Sequence, residues 1–233
     1  MATALTDAVA FYSRSASAFH SSYAKDANRL ERIRVWEEFL DRYAPGARFA
    51  YDLGCGSGIL VCELARRGIE TVGIDGSAEM LAIAARTVRQ HGYDNVQLQQ
   101  QQLPIADTAD FRPADLVISS SALEYLNSME EALAFVRRLT APGGVAIFSV
   151  SNHDSLSRKA VRLVHLLTKR PRYLAFLKHF MTVETVQAAL RSAQLEYVEH
   201  AYFARADRTN RLLGLCLPAR FSSNMIIVVA RRR

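Results

Sequence analysis

Three cysteines in 233 residues, Cys55, Cys62 and Cys216, form neither a CxxC pair nor a metal-ligand spacing. That excludes a disulfide scaffold and a zinc module, and an odd thiol count fits a reducing compartment. Eleven glycines and six prolines are too few for a collagen-like or low-complexity chain. The longest apolar run, Met225–Ala230, has six residues, against roughly 18 to 20 for a membrane-spanning helix. Asp7 comes early and no apolar h-region follows it, so no secretory signal is expected and the expected location is the cytoplasm. What remains is a 50% hydrophobic, 22% charged composition, which supports one cored domain or a domain with a small cap.

Acidic residues are in deficit: 29 Lys and Arg against 23 Asp and Glu, a formal charge of +6. The deficit is local. Between Ser155 and Phe180 stand Arg158, Lys159, Arg162, Lys169, Arg170, Arg172 and Lys178, with no acid. No recognised nucleic-acid module accompanies them, nor the aromatic–basic interleaving of a base-stacking groove, so nucleic acid is not an expected partner.

Apolar periodicity organises the rest. Residues 5–43 read as helical, with Leu30, Ile33, Trp36, Phe39 and Leu40 at helical spacing and Pro45-Gly46 as a stop. Strands are expected at 48–53, 71–74, 95–99, 114–119 and 145–150, with helices at 59–67, 77–91 and 129–139 between them. Such alternation gives βαβ units and a parallel sheet covered on both faces. Helices at 156–168 and 182–192 follow, then strands near 195–203 and 225–230. The expected architecture is a doubly wound, seven-stranded, mostly parallel α/β sheet whose late pair of strands closes one edge.

In such a sheet, ligands bind beyond the carboxyl ends of the strands. There the chain places Asp52-Leu53-Gly54-Cys55-Gly56-Ser57-Gly58, between a strand and a helix. Alternate glycines let the backbone turn sharply and lie close to a ligand, and the helix start offers free N–H groups. Asp75 ends the second strand, 21 residues after Gly54, where a carboxylate can accept from both hydroxyls of a ribose. A dinucleotide fingerprint would place a small residue at position 59, which is Ile, and no Gly-Lys-Ser/Thr P-loop occurs. A nucleoside with a compact zwitterionic arm fits better than a pyrophosphate.

Asp52–Gly58, Val72-Gly-Ile-Asp-Gly-Ser77 with Met80-Leu81, Asp115–Glu124 and Leu139-Thr-Ala-Pro-Gly-Gly144 together resemble the class I S-adenosylmethionine-dependent methyltransferases. The likeness spans about residues 45–150 and is nearest the small-molecule branch that includes ubiquinone and menaquinone biosynthesis methyltransferases. It implies the Rossmann-like methyltransferase fold, an enzyme, and S-adenosyl-L-methionine as cofactor. By position it implies that Gly54, Gly56 and Gly58 border the methionine arm, with Asp52 near its amino group. Asp75 takes the ribose, and Gly76 and Met80 line the adenine. Gln101, Gln102 and Leu103 occupy the loop where the family often carries an acid for the adenine amine. Ser119 and Ser120 lie beneath the sulfonium. Tyr12 and Tyr23, with Phe11 and Phe19, resemble the family's mobile cover, although they could equally pack the first helix.

Methyl transfer needs alignment and water exclusion, with a base when the acceptor is a hydroxyl or a protonated amine. His153, after the fifth strand, is the candidate base, or an ordinary surface residue. Tyr125, in Leu-Glu-Tyr, is a candidate substrate contact or proton relay, where many relatives carry His. Glu124 reads as structural. Ser119-Ser-Ser-Ala122 lacks the Asn/Asp-Pro-Pro-Tyr/Phe of adenine and glutamine methylation. A small-molecule substrate follows, with O-methylation of an aromatic or lipophilic hydroxyl ahead of C- or N-transfer to an acidic or carrier-bound molecule, or a non-catalytic cofactor-binding partner. The expected parts are a helical cover (1–44), a cofactor-binding core (45–154), a basic helical lid (155–180) and a C-terminal part of the sheet (181–233). In the lid, Leu156, Ala160, Leu163, Val164 and Leu167 form an apolar stripe. That stripe either packs on the domain or lets the helix meet an anionic membrane, an acidic substrate or an acidic carrier protein.

Overall fold

The computed structural model describes residues 3–23, 26–105 and 110–233. Three helices open the chain, α1 (Thr3–Arg14), α2 (Ala16–Ser22) and α3 (Ala27–Tyr43). The central elements are β1 (Phe49–Leu53), α4 (Ile59–Arg66), β2 (Glu70–Asp75), α5 (Ala78–Gln90), β3 (Val96–Gln100), β4 (Ala114–Ser120), α6 (Met129–Leu139) and β5 (Thr140–Asn152). Then come α7 (Leu156–Thr168), β6 (Phe180–Met181), α8 (Val183–Ser192), β7 (Glu196–Phe203), α9 (Arg208–Cys216), α10 (Ala219–Ser222) and β8 (Met225–Arg231).

The sheet runs β3-β2-β1-β4-β5-β8-β7, with the two-residue β6 beside β5. Strands β1 to β5 pair in parallel, while β8 is antiparallel to both β5 and β7. From β1 the chain winds outward through β2 and β3, then returns to place β4 on the other flank of β1. The carboxyl ends of β1 and β4 therefore splay their following loops apart, and that crevice is the site. One apolar core lies on each face: Leu53, Phe135 and Phe148 belong to one, Trp36, Leu116 and Ile147 to the other.

The doubly wound, mostly parallel sheet is as expected, with differences in detail. The single helical run over 5–43 is three helices. Asp26 caps α3, its carboxylate accepting from the N–H groups of Asn28 and Arg29; a strong local cap restarts a helix whatever the apolar period says. β5 begins at Thr140 rather than 145, because a register irregularity between Ala114 and Leu116 lets Thr140 pair with Ala114. The eighth strand, β6, pairs Phe180 and Met181 with Ser151 and Asn152. It lies past Ser149, the last β5 residue that β4 reaches, and two residues carry no readable period. Neither α9 nor α10 was expected, both being short.

Helix α7 has the expected bounds, and the structure decides between the two readings of its stripe. None of its thirteen residues is buried, so its apolar stripe does not pack on the domain.

Candidate active site

A cavity of about 440 Å³ opens at the carboxyl ends of β1, β2 and β4. A recess of about 50 Å³, lined by Asp52, Ser57, Arg32 and Phe19, adjoins it, with Gly54, Gly56 and Ser120 facing both.

The glycines divide the work. A Cβ on Gly56 would meet nothing nearer than Phe19 Cε1 at 3.9 Å, so this backbone lies open to a ligand. A Cβ on Gly54 would fall 2.2 Å from Ala122 Cβ, so its bareness lets the loop after β4 approach. Gly58 lines neither space. Its φ is +82° and a Cβ there would lie 2.7 Å from Ala84 Cβ, so it serves the packing of α4 on α5 rather than the methionine arm.

Asp75 ends β2 with Oδ2 accepting the Gly56 N–H and Oδ1 accepting the Ser77 N–H, both at 2.8 Å. Each oxygen keeps lone-pair capacity for a ribose hydroxyl. The same carboxylate thus ties the glycine loop to β2. Ser77 caps α5 through the Met80 N–H and directs Met80 toward the cavity, beside Gly76, Gln102 and Leu103. Gln101 is different: its N–H donates to Asp75 O and its side chain does not line the cavity. Ser119 likewise turns inward, donating its hydroxyl to Leu53 O at 2.8 Å, while its neighbour Ser120 lines the cavity. Successive strand residues face opposite sides, so in β4 Ser120 reaches the cavity where Ser119 does not.

Asp52 is 1% exposed, and its Oδ1 has no hydrogen-bond partner; nor has the buried Ser57 hydroxyl. Burial, and then the charge of Asp75, push the Asp52 carboxyl up to about 8. Such a group wants a cation. Across the recess Arg32 donates to the hydroxyls of Ser120 and Ser121 at 3.2 and 2.7 Å. The recess thus sets a carboxyl and a guanidinium side by side in its lining, the counter-charges that a zwitterionic amino-acid arm would ask for. The sequence held a signal for Arg32 that went unread: it stands four residues before buried Trp36, on the inward face of α3.

The cavity wall is also aromatic. The hydroxyls of Tyr12 and Tyr125 meet at 2.6 Å. Burial raises Tyr12 to about 12 and lifts Tyr125 well above its ordinary value, so both keep their protons. Phe19 packs against Tyr12 and Tyr23, and the Arg29 guanidinium sits 4.1 Å from the Phe19 ring centre. Tyr12, Phe19 and Tyr23 line the cavity. Glu124, 2% exposed, accepts the Ser151 N–H through Oε2. Desolvation raises its carboxyl, and the Arg158 guanidinium partly offsets that. Arg158 donates to the Tyr173 hydroxyl at 2.9 Å, while its buried Nε has no partner.

His153 is not at this site. Its ring is 48% exposed and lies 3.3 Å from Asp154, which also pairs with Arg220. The His153 N–H is held by Met181 O in β6, and the residue does not line the cavity.

Residues 51–146 match the family model described as a methyltransferase domain. A ubiquinone biosynthesis O-methyltransferase from Hahella chejuensis is 32% identical over 182 residues, 75% of this chain and 74% of that protein. A malonyl-[acyl-carrier protein] O-methyltransferase from Enterobacter lignolyticus is 32% identical over 157 residues, 66% of this chain and 57% of that protein. The solved magnesium protoporphyrin IX methyltransferase of Synechocystis, with bound SAH, shares the fold at a TM-score of 0.65 and 17% identity, over 91% of this chain and 88% of that one. A crevice made for a zwitterionic nucleoside and a relative matched along three quarters of the chain lead to one assignment: the protein is a class I S-adenosylmethionine-dependent methyltransferase acting on a small molecule.

Proposed function

We propose that this enzyme methylates the hydroxyl of an aromatic, lipophilic small molecule. The observation that carries the reading is the part of the cavity lined by Tyr12, Tyr125 and Tyr173 together with the buried Glu124. Two relatives are named as O-methyltransferases, which agrees with it.

S-Adenosylmethionine, when bound, supplies a methyl group activated by sulfonium charge. Asp75, Asp52 and Arg32 hold its sugar and amino-acid ends, and Met80, Gly76, Gln102 and Leu103 its base. The tyrosine rings then position a flat acceptor by edge and face contacts. Tyr125, whose phenol stays protonated and is oriented by Tyr12, donates a hydrogen bond to the acceptor oxygen and fixes its lone pair in line. Glu124 takes the acceptor's proton; desolvation moves its proton affinity toward the working pH, as a general base requires. α1 and α2 exclude water from the transfer.

Replacement of Glu124 by Gln keeps an acceptor for the Ser151 N–H and removes the basicity. With a labelled methyl donor and a 4-alkylcatechol as acceptor, turnover should fall about a hundredfold while S-adenosylhomocysteine affinity holds. The acidic limb of the pH–rate profile should also disappear. Unchanged turnover would remove Glu124 as the base.

The unpartnered Nε of Arg158 favours a second reading, an acceptor bearing a carboxylate, free or carrier-bound. Such an acceptor is already ionised and needs no base, so it would leave the Glu124→Gln variant active on carboxylates.

A further inference from the structure

The turn after β2 carries no side chain at Gly76, and two residues converge on it. A Cβ there would lie 2.9 Å from Val9 Cγ2 of α1 and 3.5 Å from Gln102 Nε2. Ala8, Val9, Met80 and Leu103 contribute apolar wall to the cavity. Apolar walls hold a flat heterocycle by burial and dispersion, which are nearly indifferent to the substituent it carries at C6. The choice among purines falls to polar groups.

Three polar side chains of the cavity lining stand beside Gly76: Asp75, Ser77 and Gln102. Asp75 accepts the N–H groups of Gly56 and Ser77 and has its remaining capacity for the ribose. The Ser77 hydroxyl is fully engaged. It donates to Glu79 Oε2 at 3.1 Å, and it accepts the Met80 N–H at 3.1 Å and the Ser13 hydroxyl at 2.7 Å. Gln102 is left for the base.

Its amide sets a donor and an acceptor side by side, where a carboxylate would only accept. Oε1 can take a hydrogen of a 6-amino group while Nε2 donates to N1. Turned by half a revolution about its last torsion, which is soft, the same amide presents Nε2 to a 6-oxo group and Oε1 to an N1–H. Gln102 is exposed, so the turn needs no repacking of the core.

We propose that Gln102 sets the base specificity of the cofactor site and sets it broadly, so that the site takes a 6-oxopurine nucleoside as well as a 6-aminopurine one. This rests on the base lying beside Gly76 and Met80, as in the proposed function.

The test is calorimetry of the full chain with three ligands: S-adenosylhomocysteine, its deaminated analogue S-inosylhomocysteine, and S-ribosylhomocysteine, which has no base. The adenosyl and inosyl compounds should bind within about tenfold of each other, the worth of about one hydrogen bond. The Gln102→Glu variant should keep the adenosyl compound within about tenfold of wild type. It should turn away the 6-oxo group, so that the adenosyl-to-inosyl ratio widens at least about tenfold. Wild-type rejection of the inosyl compound by more than about a hundredfold overturns the proposal, as does an unchanged ratio in Gln102→Glu. Both of those outcomes leave the base in its place. The ribosyl compound reports on that place and should bind at least about a hundredfold more weakly than the adenosyl one. Equal binding of the two would show that no base is seated beside Met80, which overturns the placement and the proposal with it.

Discussion

Helices α5 and α7 are each thirteen residues long, each amphipathic, and each capped by a serine whose hydroxyl accepts an N–H of the first turn. Their first turns both help wall the cavity, through Ser77 and Met80 in α5 and through Ser157, Arg158 and Val161 in α7. Beyond that turn they part. α5 buries Met80, Ile83, Ala84 and Val88, against α1, α2 and the glycine loop. α7 is held through polar side chains: the hydroxyls of Ser155 and Ser157 donate to Asn224 Oδ1 at 2.8 and 2.7 Å, Arg158 reaches Tyr173, and Arg162 lies over the Phe180 ring. An apolar stripe therefore states that a helix has a partner without stating which. The α5 stripe finds its partner in this chain, and the α7 stripe is exposed.

The contrast breaks most visibly under truncation of the α5 stripe. Ile83 is 6% exposed and packs with Ala16, Met80, Tyr12 and Phe19. Its replacement by Ala should cost about 2 to 4 kcal/mol in urea unfolding and also loosen the N-terminal cover, seen as weaker S-adenosylhomocysteine binding. A cost below about 0.5 kcal/mol would mean that α5 is no better seated than α7.

The cofactor half of the molecule was legible because its constraints are local. A strand, a turn forced by glycines and an acid at a strand end are each written in a few consecutive residues, so Gly54, Gly56 and Asp75 could be read from the residues, and the family resemblance added Asp52 and Met80. The departures there are fine-grained. Ser119 sits one strand residue from a position that reaches the cavity, Gln101 follows β3 with its side chain off the cavity, and Gly58 is taken up by packing on Ala84. The acceptor half was less legible because its residues converge from remote segments. Tyr12, Glu124, Arg158 and Tyr173 lie on different elements, and no short-range pattern joins them. His153 failed for a similar reason: its direction depends on β6, two residues that pair with β5 only in three dimensions.

Deep burial on the α5 side also predicts a pH dependence. The Asp52 carboxyl, at about 8 against an ordinary 3.8, holds its proton more tightly in the folded chain than in the unfolded one. Without cofactor, the group costs stability progressively as pH rises from about 4 to about 8. An ammonium-bearing ligand needs the ionised form, so its affinity should rise with pH over the same range. The limit is about tenfold per pH unit. Calorimetry with S-adenosylhomocysteine between pH 6 and 7.5 should show that slope, and Asp52→Asn should abolish it. A slope that survives in the variant would assign the proton to another group.

The smallest expected effect sharpens the comparison most. Leu163 lies in the middle of α7 and is 63% exposed. Its replacement by Ala removes no packed neighbour and exchanges one good helix former for a better one. The unfolding free energy should change by less than about 0.5 kcal/mol. A loss of about 2 kcal/mol or more would mean that Leu163 is packed in solution, as a core leucine would be. The stripe would then belong to the fold rather than to an outside surface. A leucine that is silent in denaturant has no packed neighbour to lose, which is what separates α7 from α5.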